Sequence, residues 1–215
     1  MRLLWEPPVR SLLVCNIYHG AAWALITVLP MCISSTYTDR RLIPILGGVV
    51  GVCRLVGTGL FDGMSRLLGY KVLNWVQTLL GVGWMVVVVL VFPNNSLHHV
   101  NQEDTPIMPA GEWVVYLIGI LGGISYTWAG VIMTVAAGKV SRDPKTMNGF
   151  QPDAIFTIIE VIWCVSNAVI MALTPYISLY MFITLTLAGL ICFSIMFEMQ
   201  LLSCLRQDHW LSDTN

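Results

Sequence analysis

The sequence predicts an all-α membrane protein, a six-transmembrane-helix bundle. Composition is the first sign. Of the 215 residues, 56% are hydrophobic and 11% are charged, and the mean hydropathy is +0.75. A soluble domain is about 25% charged, so lipid is the solvent for most of this chain. The second sign is six apolar runs, roughly 11–33, 42–61, 72–92, 113–137, 154–173 and 176–197. Each reaches the ~20 residues that a helix needs to cross a bilayer core. The third sign is the polar punctuation between them. Backbone groups in lipid must be satisfied within the segment, which selects helices; a barrel would need alternating strands of about ten residues.

The runs divide the chain into an N-terminus (1–10), a first three-helix unit (11–92), an external loop (93–112), a second three-helix unit (113–197) and a tail (198–215). Span one is too long for a signal-peptide core, and no small-residue cleavage site follows it. It carries Asn16, His19, Trp23 and Thr27, spaced 3, 4 and 4, which is one helix face. After "STYTDRR", span two carries Arg54 and Thr58. Span three is polar only near its start, at Asn74, Gln77 and Thr78, and then reads "LLGVGWMVVVVLVF". The loop "NNSLHHVNQEDTPIMPAGE" leads to span four, with Ser125, Thr127 and Thr134. The next linker ends in Pro152 and Asp153, residues suited to a helix start. Span five places Glu160, Trp163 and Asn167 on one face. Only Thr174-Pro175 separates it from span six, so these two helices are adjacent and antiparallel. Span six has no charged residue before Glu198.

Lys and Arg set the orientation. With both termini cytoplasmic, the inside holds Arg2, Arg10, Arg66, Lys71, Lys139, Arg142, Lys145 and Arg206, and the outside holds Arg40 and Arg41. This is a positive-inside bias. The external loop contains a glycosylation sequon, Asn94-Asn95-Ser96, very close to the end of span three.

Spans one, two, four and five thus have polar faces, while three and six are lipid-facing or structural. This fits two three-helix units around a cavity; the other reading is that polar residues glue helices together. Gly47-x-x-x-Gly51 and Gly119-x-x-x-Gly123 each let another helix approach. Arg54 is about seven residues from the inner end of its span, ~10 Å along the helix. Glu160 is about six residues from its inner end, ~9 Å. A lone charge at the bilayer centre costs at least ~2.5–3.5 kcal/mol. The two are therefore expected to face one aqueous cavity and to pair there; the alternative for Arg54 is snorkelling to the headgroups. Asn16, His19 and Asn167 complete the candidate cavity set, His19 as a proton relay, a solute ligand or a packed histidine.

Other chemistry is not indicated. The near-neutral net charge of −1 argues against a nucleic-acid partner. Six cysteines, at 15, 32, 53, 164, 192 and 204, form no C-x-x-C pair. His98, His99, Glu103 and Asp104 read as a solvated loop, not a metal site, and Cys204 as an ordinary thiol. "GISY" at 123–126 superficially matches an intramembrane serine-protease motif, but the last span offers no histidine base. There is no H-E-x-x-H, no phosphate-binding loop and no paired intramembrane aspartates. The expectation is a non-enzyme without cofactor or metal.

"GLFDGMSRLLGYKVL" resembles the loop between the second and third helices of a major facilitator superfamily half, through Gly59, Asp62, Arg66, Gly69 and Lys71. Its Asp-to-Arg spacing is longer than in that motif. "MNGFQPDAIFTIIEVIWCVSNAVIMAL" and "YISLYMFITLTLAGLICFSIMFE" resemble the last two helices of the Unc-93-like family, C-terminal half, with Glu160 and Glu198 at that family's glutamate positions. The resemblance implies one half of a major facilitator fold. It implies small-solute transport as part of an oligomer or, alternatively, a regulatory or trafficking subunit of a channel or receptor. The implied partners are the lipid bilayer, a second copy or another membrane protein, and an unknown small solute.

Overall fold

The structure is a computed structural model that describes residues 6–37, 39–97, 106–108, 111–142 and 153–201. Among these, all regular structure is helical. The α-helices are α1 (Pro7–Thr36), α2 (Leu42–Val91), α3 (Trp113–Val140), α4 (Asp153–Leu173) and α5 (Leu179–Met196). A 3-10 turn, Thr174–Tyr176, joins α4 to α5, and a π turn, Phe197–Leu201, follows α5. Five helices are long and apolar enough to cross a bilayer. The chain is a multi-pass integral membrane protein.

Local chemistry explains the helix ends. Pro7 and Pro8 open α1, where a missing N–H costs nothing. Tyr37 closes it in an extended conformation, its N–H donating to the Ile33 carbonyl at 2.8 Å. The start of α5 is capped from two sides. Ser178 Oγ accepts from the Met181 N–H at 3.4 Å, and Asn94 Oδ1 accepts from the Tyr180 N–H at 3.0 Å. The Asn94 carbonyl takes the Leu179 N–H at 3.0 Å. The first-turn N–H groups that a helix leaves orphaned are thus satisfied.

Spans two and three do not have the expected loop between them. Helical hydrogen bonding runs from Leu42 to Val91, interrupted at Gly69, which has φ +74°. "DGMSRLL" contains no proline, and Asp62 and Arg66 form an i,i+4 ion pair at 2.9 Å, a pairing that supports helix. Gly69 supplies the left-handed backbone that a residue with a Cβ rarely adopts. The two arms of α2 run in opposite directions along α3. Val49 meets Gly119, Cys53 meets Gly123 and Thr127 meets Gly57, a parallel order. Trp84 meets Gly122 and Gln77 meets Ser125, an antiparallel order.

The core lies between α1, α3, α5 and the second arm. Leu12, Cys15, Tyr18, Leu25 and Cys32 of α1 are all buried. The polar start of span three is internal glue. Thr78 Oγ1 lies 2.5 Å from Ser194 Oγ, Asn74 Nδ2 donates to the Ser194 carbonyl at 3.3 Å, and the Ser125 hydroxyl donates to the Gln77 carbonyl at 3.2 Å. By contrast α4 is peripheral; only Ile155 of it is buried, and it packs chiefly against α1. Gly20 permits that packing. A Cβ there would stand 2.9 Å from Ser166 Cβ and 3.2 Å from the Trp163 carbonyl oxygen.

Candidate functional site

Four helices enclose a cleft of about 720 Å³. The α1 stripe supplies Asn16 and His19, the first arm of α2 supplies Arg54 and Thr58, α3 supplies Tyr126, and α4 supplies Glu160 and Trp163. The 3.6-residue period puts each set on one face; Asn16 is buried, while Arg54, Thr58 and Glu160 stand exposed at the mouth of the cleft.

Arg54 is held by aromatic faces. Its guanidinium carbon stands 5.1 Å from the Trp23 ring centroid and 5.3 Å from that of Tyr126. Arg54 is exposed, so each contact contributes about 0.5–1 kcal/mol. The Tyr126 ring also stacks on His19, with centroids 4.2 Å apart and planes inclined by 17°. His19 Nε2 and Asn16 Oδ1 are buried without a hydrogen-bond partner among the described residues. The Asn16 amide donates from Nδ2 to the Ile159 carbonyl, which ties α1 to α4.

Arg54 and Glu160 line the same cleft, yet they form no ion pair among the described residues. The expected direct pairing is replaced by the cation–π contacts, because α1 and α3 lie beside Arg54 while Glu160 sits exposed on peripheral α4. Asn167 does not line the cleft. Its backbone nitrogen packs at Gly20, and its Oδ1 is buried without a partner among the described residues.

The loop-motif residues lie outside the cleft and have separate partners. Asp62 and Arg66 pair with each other on the surface. Gly69 makes the break in α2. Lys71 Nζ lies 2.6 Å from Glu198 Oε1, and Trp75 Nε1 donates to Glu198 Oε2 at 3.1 Å. Asn94 is the cap of α5, and Ser96 is buried. His98, His99, Glu103, Asp104 and Cys204 lie outside the described residues.

Tyr126 is the residue that sequence reasoning missed. It stands among small and apolar residues in span four, and an aromatic ring with a polar end there was the available signal. The Lys71–Glu198 pair left no sequence signal, because its members are far apart in the chain.

The two glycine pairs have different fates. Gly119 and Gly123 receive Val49 and Cys53, at 2.9 Å from the positions their Cβ atoms would occupy. Gly47, Gly48 and Gly51, on the same arm as Arg54, have nothing within 4 Å of theirs.

Chemically, the cleft offers a fixed cation whose N–H edges meet no hydrogen-bond acceptor among the described residues, a carboxylate on the opposite wall, and two unused buried polar atoms. Among the described residues no group of three or more His, Cys, Asp or Glu side chains converges to hold a metal. The family described as ion channel regulatory protein UNC-93 matches residues 1–198. No curated protein and no solved structure matches the chain.

Proposed function

The chain belongs to the UNC-93 family of ion channel regulatory proteins, and from that membership we propose that it is a regulatory subunit of a membrane channel. The observation that carries this reading is the open face of the first arm of α2. Gly47, Gly48 and Gly51 leave space there for a partner helix beside Arg54, Gly51 at the edge of the cleft. Small residues let helices approach closely in lipid, and a cation at that depth favours a partner with a compensating polar group. The role is non-catalytic.

The finer architecture fits the same reading. The opposed arms of α2 support six crossings in two groups of three, as in one half of a major facilitator fold. The Lys and Arg distribution supports cytoplasmic termini.

The test is a photoreactive residue at Gly51 in native membranes, combined with current recordings from the channel it captures. A discrete adduct with one channel subunit is expected. So is a change in that channel's current on co-expression, abolished by Gly51→Leu. Adducts with lipid alone would contradict the proposal.

A second reading is small-solute transport by an oligomer. The cleft between Arg54 and Glu160 supports it. Uptake into vesicles reconstituted with the full chain tests it.

A further inference from the structure

The walls of the cleft differ in charge, and this difference defines a ligand. Arg54 enters from α2 and Glu160 from α4, with no ion pair between them among the described residues. The Trp23 and Tyr126 rings, with centroids 5.2 Å apart, stand together on one side of the guanidinium. Cation–π contact uses the π-faces of the rings and leaves the N–H fork free for the bidentate hydrogen bonds that fit a carboxylate. On the other side stand two acceptors suited to an ammonium, the Glu160 carboxylate and Asn16 Oδ1, the latter buried and unpartnered among the described residues. Leu55, Val131, Met133 and Ile159 add an apolar wall. The volume of about 720 Å³ lies within the roughly 300–1,000 Å³ range of small-molecule sites.

We propose that this cleft binds a zwitterionic α-amino acid with a large apolar side chain, its carboxylate on Arg54, its ammonium on Glu160 and Asn16, and its side chain on the apolar wall. A simple anion would leave Glu160 facing it across the cleft, and a simple cation would face Arg54. Only a ligand with both charges compensates both walls. This names the solute class for the transport reading and rests on the cleft as a solute site; the channel-subunit reading does not depend on it.

The test is equilibrium binding to the full chain in nanodiscs of phosphatidylcholine alone. These lack phosphatidylserine, a lipid whose headgroup has the same chemistry. The probes are L-leucine and L-phenylalanine, with N-acetyl-L-phenylalanine and L-phenylalanine methyl ester as competitors. Saturable binding of a free amino acid is expected, with a loss of at least about tenfold on removing either ligand charge. In Glu160→Gln the N-acetyl penalty should shrink towards unity while the ester penalty remains. In Arg54→Gln the pattern should reverse. These ligand ratios separate recognition from a change in folding, and the wild-type ratios stand alone if a variant fails to purify. No saturable binding of either amino acid, or an N-acetyl derivative that binds as tightly as its parent, overturns the proposal. Binding without uptake into vesicles leaves the ligand assignment in place and removes only the transport reading.

Discussion

The guanidinium of Arg54 stands 5.3 Å from the centroid of the Tyr126 ring, and that ring is stacked on His19. One aromatic side chain of α3 therefore links the cation of α2 to the polar stripe of α1. Tyr126→Leu should lower stability by about 1–3 kcal/mol, through lost ring packing and lost cation–π contact. Tyr126→Phe keeps the ring and should retain most of that. Unfolding of the three proteins in mild detergent measures the difference. Equal losses in the two variants would mean that the phenol, not the ring face, is what counts.

The glycines separate packing inside the chain from open surface. Gly20→Ala should cost about 1–3 kcal/mol, because the new methyl meets Ser166 and the Trp163 backbone at 2.9 and 3.2 Å. Gly51→Ala meets nothing within 4 Å. It should be neutral or stabilising by up to about 1 kcal/mol, through helix propensity. Unfolding midpoints of the two variants, measured side by side, check the contrast.

Lys71 and Glu198 tie the start of the second arm to the end of α5. The lysine is largely exposed, so the pair should be weak and show only a small coupling in a double-mutant cycle. The coupling should fall as salt is raised. Glu198→Met should lose more than Lys71→Met, because Trp75 Nε1 also donates to that carboxylate. A coupling that does not respond to salt would contradict this.

Asn94 acts as a cap. Its amide oxygen and carbonyl take two first-turn N–H groups of α5, and Ser96 of the sequon is buried. Asn94→Ala should cost about 0.5–2 kcal/mol. Protein expressed in a glycosylating host should show no gel shift on glycosidase treatment. A shift that disappears in Asn94→Gln would show that the sequon is used before α5 docks.

Much of the fold was legible because lipid imposes a simple rule. A run of about twenty apolar residues becomes a helix, and the edges of α1, α3, α4 and α5 fall within a few residues of the expected runs. The join between spans two and three was less legible. Gly69 belongs to the loop motif in the sequence, but residues 62–68 contain no proline and pair Asp62 with Arg66 one turn apart, and only the backbone angle at Gly69 shows where the chain breaks. Asn74, Gln77 and Thr78 were visible as polar residues, but their role as glue to α3 and α5 was not.

The sequence by itself determined the solvent of the chain, the placement of α1, α3, α4 and α5 and the stripe Asn16–His19–Trp23–Thr27, because these depend on local composition and on the 3.6-residue period. It also marked Arg54 and Glu160 as charges that need compensation. The tertiary structure alone decided how Arg54 is compensated. That choice depends on how α1 and α3 rotate about their axes and how closely glycines let them approach. Those rotations place two aromatic rings beside the guanidinium and leave Glu160 on the far wall of the cleft, a relation no spacing along one helix encodes.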